Sequence, residues 1–117
     1  MPWYDYLSFG LGGVLLTNAV PHVVSGIMGR PFQSPFAEPP GQGLSSSTVN
    51  VLWGAFNAAV GYVLVLQVGA FDVHDLRHVA AAALPAFALA LFSARHFGRY
   101  NGGDLAPRAE PPHSKGA

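Results

Sequence analysis

In the first two apolar stretches of the chain, the side chains that could do chemistry are one histidine and a set of amides and hydroxyls. Asn18, His22 and Ser25 follow one another at intervals of four and three residues, and Asn50 and Asn57 lie seven apart. These intervals place residues on one face of an α-helix. A neutral imidazole offers one donor and one acceptor, so it can bind a polar group or transfer a proton. His22 is therefore the candidate catalytic residue, although the sequence leaves open whether the protein is an enzyme.

Charged residues are scarce and unevenly placed. Only 12 of the 117 residues are Asp, Glu, Lys or Arg, which is 10%, whereas a soluble domain carries about 25%. Three stretches of 24, 33 and 17 residues contain none of them: 6–29, 39–71 and 78–94. Crossing about 30 Å of hydrocarbon takes roughly 20 helical residues. The sequence therefore predicts a small integral membrane protein.

The uncharged stretches define the expected fold class. We predict an all-α integral membrane bundle of three transmembrane helices in one domain, residues 1–100, with spans at about 6–27, 49–71 and 76–97. A membrane barrel would instead show segments of about 10 residues with alternating polarity. Ser45, Ser46, Ser47 and Thr48 can supply N-cap oxygens to the second helix, and Asp72 or Asp75 can cap the third.

The connections differ in kind. Residues 29–44 are rich in proline and glycine, which predicts an irregular loop. Residues 72–75 are few, so they predict a tight connection between antiparallel second and third helices. From Asn101 onward the chain consists of glycine, proline and charged residues without apolar periodicity, and we expect residues 101–117 to form a disordered tail.

The basic residues predict how the chain is oriented. Three spans put the long loop and the C-terminus on one side, which carries five of the six basic residues: Arg30, Arg95, Arg99, Arg108 and Lys115. Only Arg77 lies on the other side. The positive-inside rule then places the loop and the C-terminus in the cytoplasm and the N-terminus outside.

This orientation gathers polar side chains in the cytoplasmic half of the bundle. The predicted polar or ligand-binding cluster, roofed by the loop, comprises Asn18, His22, Ser25, Asn50, Trp53, Asn57, Arg95 and His96. Asn18 or Asn57 is the expected hydrogen-bond partner of His22. A kink at Pro21 would open a pocket beside it. The simplest alternative is structural, in which the asparagines bond neighbouring helices and Arg95 and His96 anchor the third span at the interface.

Several classes of function are disfavoured. The chain has no cysteine and no net charge, so we expect no disulfide, no thiolate chemistry and no nucleic-acid partner. His74 and His78 have a spacing that can hold a metal, but two histidines at a short turn are a weak pattern. We expect no metal and no cofactor. The spans contain no carboxylate, which disfavours a small transporter as the third reading.

Three strings of residues carry a resemblance. These are N-A-V-P-H at 18–22, G-R-P-F-Q-S-P-F-A-E-P-P-G at 29–41, and N-V-L-W-G-A-F-N with a following Gly-Tyr at 50–62. They resemble an uncharacterised family of small bacterial multi-spanning membrane proteins, over roughly residues 5–65. The resemblance implies a bacterial inner-membrane location and three or four spans, and it implies no activity.

Two functions follow as expectations. Asn50, Gly54, Asn57 and Gly61 form a small, polar stripe on the second helix, here called the Asn–Gly stripe. The stripe favours an accessory or structural subunit of a larger membrane complex, or a homo-oligomer, within the lipid bilayer. The alternative is a membrane-embedded binding site or enzyme for a lipid-like or quinone-like molecule. There His22 would act as acid, base or donor, and Asn57 would orient the ligand.

Overall fold

The computed structural model describes residues 1–103 as three long helices and one short hairpin. The elements are α1 (Trp3–Ile27), β1 (Phe32–Gln33), β2 (Leu44–Ser45), α2 (Ser47–Leu66) and α3 (Leu76–Asn101). The two strands pair antiparallel inside the proline-rich loop, so this segment is more regular than predicted. Within residues 1–103, three helices are long and apolar enough to cross a membrane. The all-α fold with three candidate spans is thus confirmed, and it fits a multi-pass membrane protein.

The middle position in the bundle belongs to α1. It packs along both α2 and α3, whereas α2 and α3 share few contacts with each other. Consistent with this, α1 contains nine buried residues, and the buried residues of α3 are His78 and Gly98 alone. The helix continues through Pro21. The predicted kink at Pro21 therefore does not interrupt α1. Open space at the bundle exists because α2 and α3 pack on α1 and have few contacts with each other.

The Asn–Gly stripe of α2 lies against α1 of the same chain. A Cβ atom on Gly54 would lie 2.5 Å from Val23 Cγ2, and one on Gly61 would lie 3.0 Å from the carbonyl oxygen of Gly12. Only glycine permits so close an approach of two helices. The stripe could pair within the chain or between chains, and α1 of the same chain already covers it. It therefore offers no free surface to a second copy.

The second helix ends earlier than predicted. It stops at Leu66 rather than Phe71, and the connection spans residues 67–75. The chain turns back over the end of α1, where a Cβ on Gly69 would lie 2.9 Å from Asp5 Cγ. The Phe71 ring packs edge-on against Phe9, with ring centroids 5.0 Å apart. Burial of Phe71 against α1 thus replaces the last turn of the predicted span.

The helix caps follow from the sequence. Ser46 Oγ accepts a hydrogen bond from the backbone N–H of Val49 at 3.2 Å, and Asp75 caps α3 through the N–H of Arg77 at 2.9 Å. At its other end α3 extends to Asn101, beyond the predicted boundary, and Gly102 ends it with φ +79°. The remainder of the predicted disordered tail, residues 104–117, lies outside the described residues.

Enlarging Gly54 tests the close packing of α1 on α2. We expect Gly54→Ala to destabilise the protein by about 1–3 kcal/mol, since the added methyl group has no space. The neighbouring Ala55 is exposed, so Ala55→Val is the matched control and should leave stability unchanged. Thermal unfolding of the full chain in detergent measures both. Equal melting temperatures for the two variants would contradict the packing described.

Candidate functional site

A cleft opens at the end of the bundle that carries the loop. Its floor is α1, its walls are α2 and α3, and the loop covers it. The volume is about 390 Å³. We call it the loop cleft and define it by its lining residues: Asn18, His22, Gln33, Ser34, Pro35, Pro40, Gly41, Trp53 and Phe97. The lining contains amides, one hydroxyl and one imidazole but no charged side chain, so the cleft is neutral and sets a few polar groups among apolar ones.

Asn50 holds His22 in one orientation. The Asn50 Nδ2 group lies 3.2, 3.1 and 3.0 Å from the carbonyl oxygens of Phe32, Ser45 and Ser46. Carbonyls only accept, so the amide nitrogen must face them and Oδ1 must face His22. The Nδ1 atom of His22 lies 2.6 Å from that oxygen, and it therefore carries the hydrogen. The neutral imidazole is thereby fixed as one tautomer, with the lone pair on Nε2.

The free nitrogen of His22 borders the loop cleft. His22 is only 2% exposed, and its Nε2 makes no hydrogen bond with any residue from 1 to 103. The ring edge packs against Phe32, with centroids 5.4 Å apart. The prediction that Asn18 or Asn57 bonds to His22 is wrong. Asn50 makes this hydrogen bond, through Nδ1 of His22. Nε2 is therefore available as an acceptor.

Asn57 takes part in packing and does not line the cleft. It is 1% exposed, its Nδ2 donates to the carbonyl of Trp53 at 2.8 Å, and its Oδ1 accepts from Asn18 Nδ2 at 3.1 Å. His22 and Asn57 therefore do not face each other across a cavity. Asn18 does line the cleft, and its Oδ1 has no partner within the described residues.

Trp53 connects the loop cleft to an apolar groove. This groove, here called the Trp53 groove, has a volume of about 540 Å³ and is lined by Phe36, Val49, Leu52, Trp53 and Phe56. The indole meets Phe36 edge-on at 5.0 Å and stacks on Phe56 at 5.8 Å. Its Nε1 is, within residues 1–103, the only buried side-chain nitrogen or oxygen without a hydrogen-bond partner. The loop cleft, which contains polar groups, and the apolar Trp53 groove thus meet at the side chain of Trp53.

Two residues of the loop bond to α3, and a third bonds across the hairpin. The sequence analysis did not identify these loop residues as candidates. Gln33 and Asn101 exchange two amide hydrogen bonds of 3.0 and 3.4 Å. The carbonyl oxygen of Gly41 accepts from His96 Nε2 at 2.9 Å. Ser34, 1% exposed, bonds with Ser45 across the hairpin. The only available signal was a pair of polar residues, Gln33 and Ser34, between two Pro-Phe pairs.

The remaining predicted residues lie outside the loop cleft. Ser25 lines a separate cavity with Arg30, Pro31, Phe32 and Asn101. Arg95 is on the exposed face of α3, where it lines another cleft together with His96. The eight predicted cluster residues are therefore divided among the loop cleft, the α1–α2 interface, the cavity at Ser25 and the outer face of α3.

At the opposite end of the bundle, His78 serves the connection between α2 and α3. It is 5% exposed, its Nδ1 accepts from the backbone N–H of Asp72 at 3.0 Å, and its Nε2 lies 3.4 Å from Asp75 Oδ2. Hydrogen bonds from Arg77 lower the pKa of Asp75 to about 2. His74 is exposed and bonds with Asp72 instead. Within residues 1–103, no three His, Cys, Asp or Glu side chains form a group that could hold a metal.

Comparison of the chain with protein-family models, with curated proteins and with solved structures gives no match. The chemistry of the loop cleft therefore rests on its own geometry. It offers one acceptor with a basic lone pair, His22 Nε2, and an amide oxygen of Asn18. The Ser34 hydroxyl bonds with Ser45 and with the N–H of Phe36, so no activated nucleophile is present in the cleft. The site is suited to hydrogen bonding and proton acceptance.

Replacing the two buried asparagines tests which one organises the site. Asn50→Leu removes four hydrogen bonds and leaves the Nδ1–H of His22 unpaired, at a cost of about 1–3 kcal/mol. Asn57→Leu removes two. We expect Asn50→Leu to lower the melting temperature in detergent more than Asn57→Leu does. The opposite order would show that Asn50 does not organise the loop end.

Proposed function

We propose that this multi-pass membrane protein binds a neutral amphipathic molecule, lipid-like or quinone-like, with its polar head in the loop cleft. One observation carries the proposal. Asn50 Oδ1 lies 2.6 Å from Nδ1 of His22, His22 lines the cleft, and its Nε2 has no hydrogen-bond partner within residues 1–103. An imidazole nitrogen that is open to a cleft can accept a hydrogen bond from a molecule bound there. A ligand hydroxyl would supply it.

The neutral lining of the loop cleft selects the head group. A phosphate or carboxylate placed there would meet no arginine or lysine, and an unpaired charge in an apolar setting is strongly disfavoured. A hydroxyl can donate to His22 Nε2. The amide oxygen of Asn18 has no partner within residues 1–103 and is a second acceptor at the cleft. The lining therefore favours a neutral head that carries hydroxyl groups, as a quinol or a monoacylglycerol does.

The Trp53 groove suits the apolar part of such a molecule. It adjoins the loop cleft at Trp53, and consecutive loop residues, Pro35 and Phe36, line the two spaces. Volumes of about 390 and 540 Å³ lie in the usual range for ligand sites. An acyl or isoprenoid chain in the groove would contact Leu52 and Phe56 while the head reached His22.

The same geometry supports proton transfer. A hydroxyl bonded to Nε2 can pass its proton to that nitrogen, which leaves the oxyanion paired with an imidazolium whose Nδ1–H stays on Asn50. In this reading His22 is the acid or base, and Asn50 is a positioning residue that holds the tautomer. Asn57, which the sequence favoured for orienting the ligand, would act only through Asn18 and Trp53.

Fluorescence of Trp53 provides the binding test. The chain has two tryptophans, so Trp3→Phe leaves Trp53 as the single reporter. We expect a short-tailed ubiquinol or a monoacylglycerol to change its emission saturably in detergent. His22→Ala should weaken the apparent affinity roughly two- to tenfold, the equivalent of one hydrogen bond. The exposed His74 gives the matched control, His74→Ala, which should bind like the parent.

Trp53 emission that changes linearly with ligand concentration, without reaching a plateau, would contradict the binding site. Equal affinities for His22→Ala and the parent would also contradict it. Melting temperatures of the same samples establish that each variant is folded before its affinity is compared. Saturable binding of the monoacylglycerol without the ubiquinol would assign the site to lipid-like ligands, and the reverse to quinone-like ones.

A subunit or homo-oligomer role is the second candidate, and the outer face of α3 favours it. Leu84, Phe87 and Phe92 are 68%, 63% and 61% exposed, and α3 packs mainly on α1. Since the Asn–Gly stripe is covered, α3 is the helix with the most surface left for another chain. Phe87→Cys should form a crosslink to another chain in native membranes. Ala59→Cys, at an exposed position of α2, should not. Monomer alone at both positions would count against this role.

The proposed location is the bacterial inner membrane, with the N-terminus outside and the loop end in the cytoplasm. Arg30, Arg95 and Arg99 at the loop end, against Arg77 at the opposite end, support it. The absence of cysteine makes single-cysteine labelling simple. In intact spheroplasts, a membrane-impermeant maleimide should label Val73→Cys but should label Gln42→Cys only after permeabilisation. The inverse pattern would reverse the orientation.

A further inference from the structure

A second cleft lies on the outer face of α3, apart from the loop cleft. Its volume is about 480 Å³, and we call it the arginine cleft after its lining residues: Ala88, Leu91, Phe92, Arg95, His96 and Arg99. Arg95 and Arg99 are four residues apart, so their side chains share one helical face. Within residues 1–103, neither forms an ion pair, whereas Arg77 pairs with Asp75 at 2.8 Å. Two guanidinium groups thus border one space, and no carboxylate of residues 1–103 lines it.

His96 forms a fixed wall of the arginine cleft. Its ring stacks on Phe92 with centroids 5.5 Å apart and an angle of 8° between the planes. Its Nε2 donates to the carbonyl oxygen of Gly41 at 2.9 Å. These two contacts join the wall to both the helix and the loop, so the cleft has a defined shape on the side that faces the bundle.

The floor of the arginine cleft is apolar and points along the span. Ala88, Leu91 and Phe92 precede the arginines, and Arg99 follows Ala88 by eleven positions. At 1.5 Å per residue this is about 16 Å along the helix axis. The arginines lie in the last two turns of a helix long enough to cross a membrane, so they sit at head-group depth with an apolar track below them.

From this arrangement we infer that the arginine cleft binds an anionic phospholipid, with the phosphate between Arg95 and Arg99 and an acyl chain along Leu91 and Phe92. Guanidinium groups bind phosphate oxygens through paired hydrogen bonds. The C-terminal end of a helix carries about half a negative charge, which opposes an anion. Two full positive charges outweigh it. The loop cleft has no charged lining, so the two sites select different lipids.

Native mass spectrometry of the full chain tests the inference. Delipidated protein is titrated with phosphatidylglycerol and, separately, with phosphatidylcholine of the same chain length. We expect a preference for phosphatidylglycerol. The Arg95→Gln/Arg99→Gln variant should lose this preference, with affinity falling by roughly fivefold for each arginine, or about thirtyfold in all. Arg77→Gln, at the other end of the same helix, should retain it.

Four results would overturn the site: equal binding of the two lipids by the parent, a preference that survives in the double variant, an equal loss in Arg77→Gln, or displacement of the lipid by excess inorganic phosphate. The last would assign the arginines to a free anion. His22→Ala should leave phosphatidylglycerol binding unchanged. A loss there would show that the adducts occupy the loop cleft instead, so the two sites can fail separately.

Discussion

The structure depends on one requirement, that polar groups within a membrane find their hydrogen bonds inside the protein. Asn50 meets it for three segments at once. Its oxygen faces His22 of α1, and its nitrogen bonds to carbonyls of Phe32 and Ser45 in the loop and of Ser46 at the start of α2. A side chain with only a donor or only an acceptor could not do this. The loop end is therefore built around an amide.

The glycines and the second asparagine extend this arrangement along α1. Gly54 and Gly61 let α2 approach closely enough for Asn57 to reach Asn18 across the interface. With α2 and α3 on opposite sides of α1, space remains between them at the loop end. Close packing on one face of α1 thus determines where the bundle is open, and the open region contains the unpaired nitrogen of His22.

The three helices and the caps of α2 and α3 could be predicted from the sequence, because charge gaps and helix caps are local features. The hydrogen-bond partner of His22 could not be predicted in this way. Helical spacing identifies the face that carries Asn50 and Asn57, but these residues are about 10 Å apart along the helix, and the axial register between helices is a tertiary property. The rotation of α3 was equally undetermined, because the face of α3 that meets α1 is also a tertiary property. Arg95 was therefore expected in a cluster from which it is turned away.

During synthesis, the polar groups of α1 are made before the asparagines of α2 that bond to them. His22 meets its partner 28 residues later in the chain, and Asn18 meets its own 39 residues later. At about 5–20 residues per second, the ribosome needs roughly 2–8 s to add the second partner. During that interval α1 carries an imidazole and an amide that lipid cannot solvate. Water or the insertion machinery would have to satisfy these groups until α2 supplies their partners.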